Sequence, residues 1–147
     1  LKALIQRVTQ ANVDVDGRSV GRINAGILLF LGVEHKDTQD SAFRLCQRVL
    51  NYRIFADGAG RMNLSLIDAG GSLLAVPQFT LAADTRKGQR PSFSAAAPPE
   101  QGRHLFDAFV NRAEQALGEL RLATGQFGAD MAVSLVNDGP VTFLLEA

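Results

Sequence analysis

The chain has 147 residues, 46% of them hydrophobic and 20% charged, which is enough for one domain with a sizeable apolar core. Fifteen Lys and Arg balance fifteen Asp and Glu, which argues against an indiscriminate nucleic-acid binder while leaving room for a local basic patch. No run reaches the ~18 apolar residues of a membrane-spanning helix and no secretory leader pattern opens the sequence; the one cysteine, Cys46, allows no internal disulfide and fits a reducing cytoplasm.

"KALIQRVTQANVDVDG" alternates apolar and polar residues and predicts a strand ending at an Asp16-Gly17 turn. "RSVGRI" predicts a second strand, and "AGILLFLGVE" a third that is buried on both faces. From Thr38 to Asn51 the period becomes helical, with Ala42, Leu45, Cys46, Val49 and Leu50 on one face and Thr38 or Asp40 as the cap. "YRIFAD" predicts a short strand and "DGAGRMN" a turn. "GGSLLAVPQFTLAAD" predicts another buried strand, interrupted by Pro77. "TRKGQRPSFSAAAPP" is polar and reads as a surface loop. Pro99 to Leu117 has helical spacing, begins where helices accept proline and ends at Gly118. The remainder, "ELRLATGQFGADMAVSLVNDGPVTFLLEA", reads as strands, with Asp138-Gly139 as a hairpin signal. The order predicts one α/β domain over residues 1–147, with two helices packed against a mixed, partly closed sheet.

Conventional catalytic sets are absent. His35 and His104 stand alone, Cys46 lies on an apolar helix face, and no nucleophile elbow, P-loop, zincin or paired-cysteine pattern occurs. Neither a metal nor a cofactor is expected. Two stretches stand out: "PQFT", which places polar Gln78 and Thr80 around Phe79 at a strand end, and "NDGPVT", which places Pro140 where a strand needs N–H donors. Arg86, Lys87 and Arg90 concentrate positive charge in one loop, suited to phosphate contact without base reading. These residues by themselves leave open an RNA-binding module, a small-ester hydrolase and an oligomerisation domain.

Taken in order, "ALIQRV", "NYRIFAD", "GRMNLS", "QFTL", "LAADTRKG", "RPSFS" and "GADMAVSLVNDGPVTF" resemble the motifs of the D-aminoacyl-tRNA deacylases, also known as the D-tyrosyl-tRNA deacylase family, across essentially the whole chain. The resemblance implies a single three-layer domain, with mixed sheets forming a partly closed barrel and two helices on one side. It implies hydrolysis of the ester between a D-amino acid and the 3′-terminal adenosine of tRNA, together with removal of glycine mischarged on tRNA-Ala. It implies a cytoplasmic homodimer whose partner is tRNA rather than DNA or a membrane.

By the same resemblance, Gln78, Phe79 and Thr80 are the catalytic stretch. Gly139 and Pro140, joined by a cis peptide and supplied from the partner subunit, select chirality together with Asn137. Arg7 orients that motif, and Phe127 and Met131 line the adenosine pocket. The family carries serine where this chain has Pro77, so no hydroxyl or N–H is available there. The residues suggest backbone N–H groups of Gln78, Phe79 and Thr80 as oxyanion donors, with Thr80 positioning water rather than attacking.

Overall fold

The computed structural model describes residues 1–147. Its longest shared element is β1 (Lys2–Val15), whose alternation buries Ala3, Ile5, Val8, Ala11 and Val13. A two-residue turn with φ of 51° at Asp16 and 76° at Gly17 returns the chain into β2 (Arg18–Ile23), the positive-φ pair that a tight hairpin requires. β3 (Gly26–Gly32) then lies antiparallel on the first half of β1, while β2 occupies the second half of the same edge. β6 (Ser72–Pro77) and β7 (Leu122–Thr124) extend the sheet in parallel from β3.

The opposite edge of β1 is taken by β8 (Ala132–Glu146), antiparallel from Asp14↔Ala132 to Lys2↔Glu146. The sheet curls until β2 meets β7. A Cβ on Gly21 would lie 2.5 Å from the carbonyl oxygen of Thr124, so only glycine allows that approach. The result is a nearly closed barrel.

α1 (Gln39–Asn51) starts at Thr38, whose hydroxyl accepts from the Ser41 N–H at 3.3 Å while the Ser41 hydroxyl accepts from the Thr38 N–H at 3.2 Å. Asp40 lies inside the first turn and is not the cap. α3 (Pro99–Leu117) opens on Pro98-Pro99 and ends at Gly118, φ 84°. Both helices bury their apolar faces against one side of the sheet, around Phe109, Leu45, Ile5 and Leu73. Val13, Ile23, Leu28, Leu74 and their neighbours fill the other side, inside the barrel. These are the expected layers.

Several local features depart from the expectation. A third helix, α2 (Leu66–Ala69), makes a single turn capped by Ser65. "YRIFAD" narrows to β4 (Phe55–Ala56), paired with β5 (Met62–Leu64) in a small separate hairpin. The strand before Pro77 does not resume after it, because Phe79–Ala82 coil into a 3-10 turn. A second 3-10 turn, Glu119–Arg121, precedes β7.

The C-terminal hairpin is absent. β8 runs on as one strand, and between the pairs Val8↔Asn137 and Gln6↔Thr142 four residues, Asp138–Val141, face Arg7 alone. Asp-Gly here makes a bulge rather than a reversal, and a bulge is one of the few places where a sheet accepts proline.

Phe109 is fully buried between the helices and the sheet, whereas Leu120 is 95% exposed. Phe109→Ala is expected to lower the urea-unfolding free energy by about 3–5 kcal/mol, and Leu120→Ala by less than about 0.5 kcal/mol. Equal midpoints for the two variants would contradict this assignment of the core.

Candidate active site

β6 delivers the "PQFT" stretch to the edge of the sheet. The Gln78 N–H donates to the Leu31 carbonyl at 2.8 Å, extending the β3–β6 ladder by one step. That N–H is therefore engaged and unavailable as an oxyanion donor. The 3-10 turn makes its first internal bond from the Leu81 N–H to the Gln78 carbonyl, at 3.2 Å. The Phe79 and Thr80 N–H groups precede that bond and have no partner within the turn. Of the three expected donors, two remain.

The side chains complete the turn. The Gln78 amide donates to the Thr80 hydroxyl, which keeps its own proton to donate. No carboxylate, imidazole or amine bonds to Thr80. Phe79 is 63% exposed, and its ring lies 5.3 Å from that of Phe93 at an interplanar angle of 50°.

Beside this turn opens a cavity of about 400 Å³. Its walls are apolar and aromatic, including Leu31, Phe79, Phe93, Phe106 and Phe127, and Gln78 is the one polar side chain among the thirteen residues lining it. Phe127 is a wall residue of this cavity. Met131 is not: its sulfur accepts from the Gln126 N–H at 3.4 Å, and it packs on the barrel core behind the wall. Phe93, in "RPSFS", is a further wall residue. An aromatic ring in an otherwise polar loop is the signal that could have marked it.

The bulge of β8 is held by a reciprocal clasp. Arg7 donates from Nε to the Asp138 carbonyl at 3.0 Å and from Nη1 to the Ile54 carbonyl at 2.6 Å, with the Asp138 carboxylate 3.3 Å away. In return, the Asn137 amide donates to the Arg7 carbonyl at 3.1 Å and to the Val141 carbonyl at 3.0 Å, while its oxygen accepts from the Val141 N–H at 3.1 Å. The Asn137 amide nitrogen is thus engaged by two carbonyls, one on β1 and one on β8. Gly139 and Pro140 are exposed at the crest, joined by a cis peptide. A Cβ at Gly139 would collide with the backbone nitrogen and side chain of Val141.

Within one chain the two motifs do not meet. Pro77 is level with Leu31 on β3, whereas Arg7, opposite the bulge, is level with Ile27. Two strands, β1 and β3, stand between them. Strand spacing and rise place them on the order of 15 Å or more apart.

The remaining candidates lie outside both motifs. Arg86 is held by Asp84 through bonds of 2.9 and 2.7 Å, and the Arg86 guanidinium beside it keeps the Asp84 carboxyl well below the usual carboxylate range. Lys87 and Arg90 are exposed in the same loop. His35 and His104 are exposed surface residues away from the cavity wall. Cys46 is fully buried in α1, and burial pushes its thiol up to about 12, which removes it as a nucleophile. No helix is long and apolar enough to cross a membrane.

The family model described as D-Tyr-tRNA(Tyr) deacylase matches residues 4–146. The chain is 59% identical to a D-aminoacyl-tRNA deacylase of Teredinibacter turnerae, covering all of both chains. It is 58% identical to one of Marinobacter nauticus, covering all of this chain and 94% of that one. Among solved structures, the c-Myc DNA unwinding element binding protein superposes with a TM-score of 0.96 at 37% identity, over 100% of this chain and 99% of that one. A probable eukaryotic D-amino acid tRNA deacylase, 18% identical and covered to 98% against 99% of this chain, shares the fold with a TM-score of 0.85. The chain therefore belongs to the D-Tyr-tRNA(Tyr) deacylase family.

Proposed function

We propose that this chain hydrolyses the ester of D-aminoacyl-tRNA, with the Gln78–Thr80 turn as its catalytic stretch. The observation that carries the reading is the turn whose Phe79 and Thr80 N–H groups make no bond within it, next to an apolar cavity, walled in part by Gln78 and Phe79, in the size range of small-ligand sites. The terminal adenosine enters the cavity, with its base against Phe127. The ester carbonyl then lies over the turn.

Water adds to the carbonyl carbon, and the developing oxyanion accepts from the two N–H groups, each worth about 3–4 kcal/mol when well placed. Collapse breaks the bond to the ribose oxygen, which takes up the proton that water gave up. The vicinal 2′-hydroxyl of the substrate is placed to relay that proton. Thr80 orients the water; with no base beside it, its hydroxyl is a poor nucleophile. Pro77 costs this scheme nothing, since no step uses a side chain at that position.

Chirality is read by Gly139-Pro140 of a second copy. The motif is too far from the turn of its own chain, yet it is exposed on β8, whose outer edge has no strand partner and whose outward face carries Val136 and Leu144. A homodimer brings the crest over the partner's turn. Backbone carbonyls there accept the substrate ammonium, so an L side chain points into the backbone wall and a D side chain points away from it. Glycine has no side chain to clash, and glycine mischarged on tRNA-Ala is cleaved as well. Lys87 and Arg90 contact tRNA phosphates; Arg86 contributes less because Asp84 neutralises it.

The first test is release of tyrosine from D-Tyr-tRNA well above the spontaneous rate, with L-Tyr-tRNA left intact; no acceleration sinks the proposal. Thr80→Val is expected to lower kcat by about tenfold at unchanged KM, the loss of one positioning hydrogen bond. A fall to the spontaneous rate would restore Thr80 as nucleophile. Gly139→Ala displaces Val141 and is expected to reduce D-over-L discrimination by roughly a factor of ten. Unchanged discrimination in that variant would remove the wall from the mechanism.

A further inference from the structure

Arg103 lies on α3 directly after Gly102, which lines the cavity. Its guanidinium carbon sits 4.8 Å from the ring centroid of Phe127, the aromatic wall residue of the same cavity. It is exposed and takes part in none of the five ion pairs of the structure. Several other arginines are occupied: Arg7 with Asp138 and Ile54, Arg48 with the Glu146 carbonyl, Arg86 with Asp84, Arg121 with the Gly71 and Leu66 carbonyls. Arg112 also stacks on a ring, 5.1 Å from the centroid of Phe43, but neither residue lines the cavity. Arg103 rests on an aromatic face with its N–H fork unengaged.

That arrangement is built for an oxyanion. Stacking on a ring leaves the five donors in the guanidinium plane free, and holding the plane in place reduces the freedom lost when they bind. The cavity itself has no cation on its walls. An apolar hole accepts a base and a ribose, but a phosphate attached to that ribose must stay outside, at the rim. Arg103 is the cation stacked on the rim's own aromatic residue.

We infer that Arg103 binds the phosphate joining the terminal adenosine to the nucleotide before it, making a bidentate contact that seats the tRNA end in the cavity. The inference rests on the reading of the cavity as the adenosine site. It assigns to this chain a phosphate contact separate from the loop of Lys87 and Arg90.

Three substrates test it: D-Tyr-tRNA, 3′-O-D-tyrosyl adenosine, and the same ester carrying a 5′-phosphate. Arg103→Gln removes the charge and keeps a stem over Phe127. It is expected to raise KM about tenfold for D-Tyr-tRNA and for the 5′-phosphorylated ester, with kcat unchanged and the unphosphorylated ester unaffected. An equal loss on both small esters would mean that Arg103 only supports the Phe127 ring, and no change on any substrate would mean that it touches none; either result overturns the inference. Wild-type protein that cleaves none of the three overturns the deacylase reading itself. Circular dichroism and the unfolding midpoint of Arg103→Gln, matched to wild type, separate these outcomes from misfolding.

Discussion

The whole architecture hangs on one strand with both edges engaged. β1 gives its first half to β3 and its second half to β2 on one edge, and most of its length to β8 on the other. Its alternating residues therefore serve two cores: Ala3 and Ile5 beneath the helices, and Val8, Ala11 and Val13 inside the barrel. A one-residue slip of β1 would invert every one of these positions at once. Because Arg7 is paired with Ile27 of β3 on one edge and faces the bulge of β8 on the other, the same register also fixes the bulge it clasps.

The chemistry proposed for this chain is carried by backbone, and the side chains around it mostly hold that backbone in place. Gln78 anchors the turn to β3 through its N–H and leans on Thr80 through its amide. Arg7 and Asn137 each bond to the other's stretch of main chain. Such an arrangement explains how a site can lack histidine, cysteine and carboxylate and still be specific. A peptide group has no pKa to tune, so its reactivity is a matter of where it points.

Much of this was legible in the sequence. The alternation of β1, the helical period of α1 and α3, and the Asp16-Gly17 turn are local patterns with local causes, and each element forms where its pattern predicts. What stayed hidden depends on contacts between distant residues. Asp138-Gly139 has the same composition in a hairpin and in a bulge, and only the pairing of β8 with β1 separates them. The engaged N–H of Gln78 follows from the β3–β6 register, and Met131 lies behind the cavity wall because of barrel packing. The Asp84–Arg86 pair is two residues apart, so "ADTR" carries its signal locally. Arg103 and Phe127 come together through the docking of α3 on the loop before β8, which no spacing announces.

The bulge in β8 has one more consequence. A fifteen-residue strand with an unpaired edge is a long template for adding further strands, the geometry from which fibrils grow. Here four consecutive residues leave the ladder, one of them a proline with no N–H to offer. The edge is thereby cut into two short pieces on either side of a kink. The feature that puts Gly139-Pro140 on display also keeps copies of the chain from stacking edge to edge without limit.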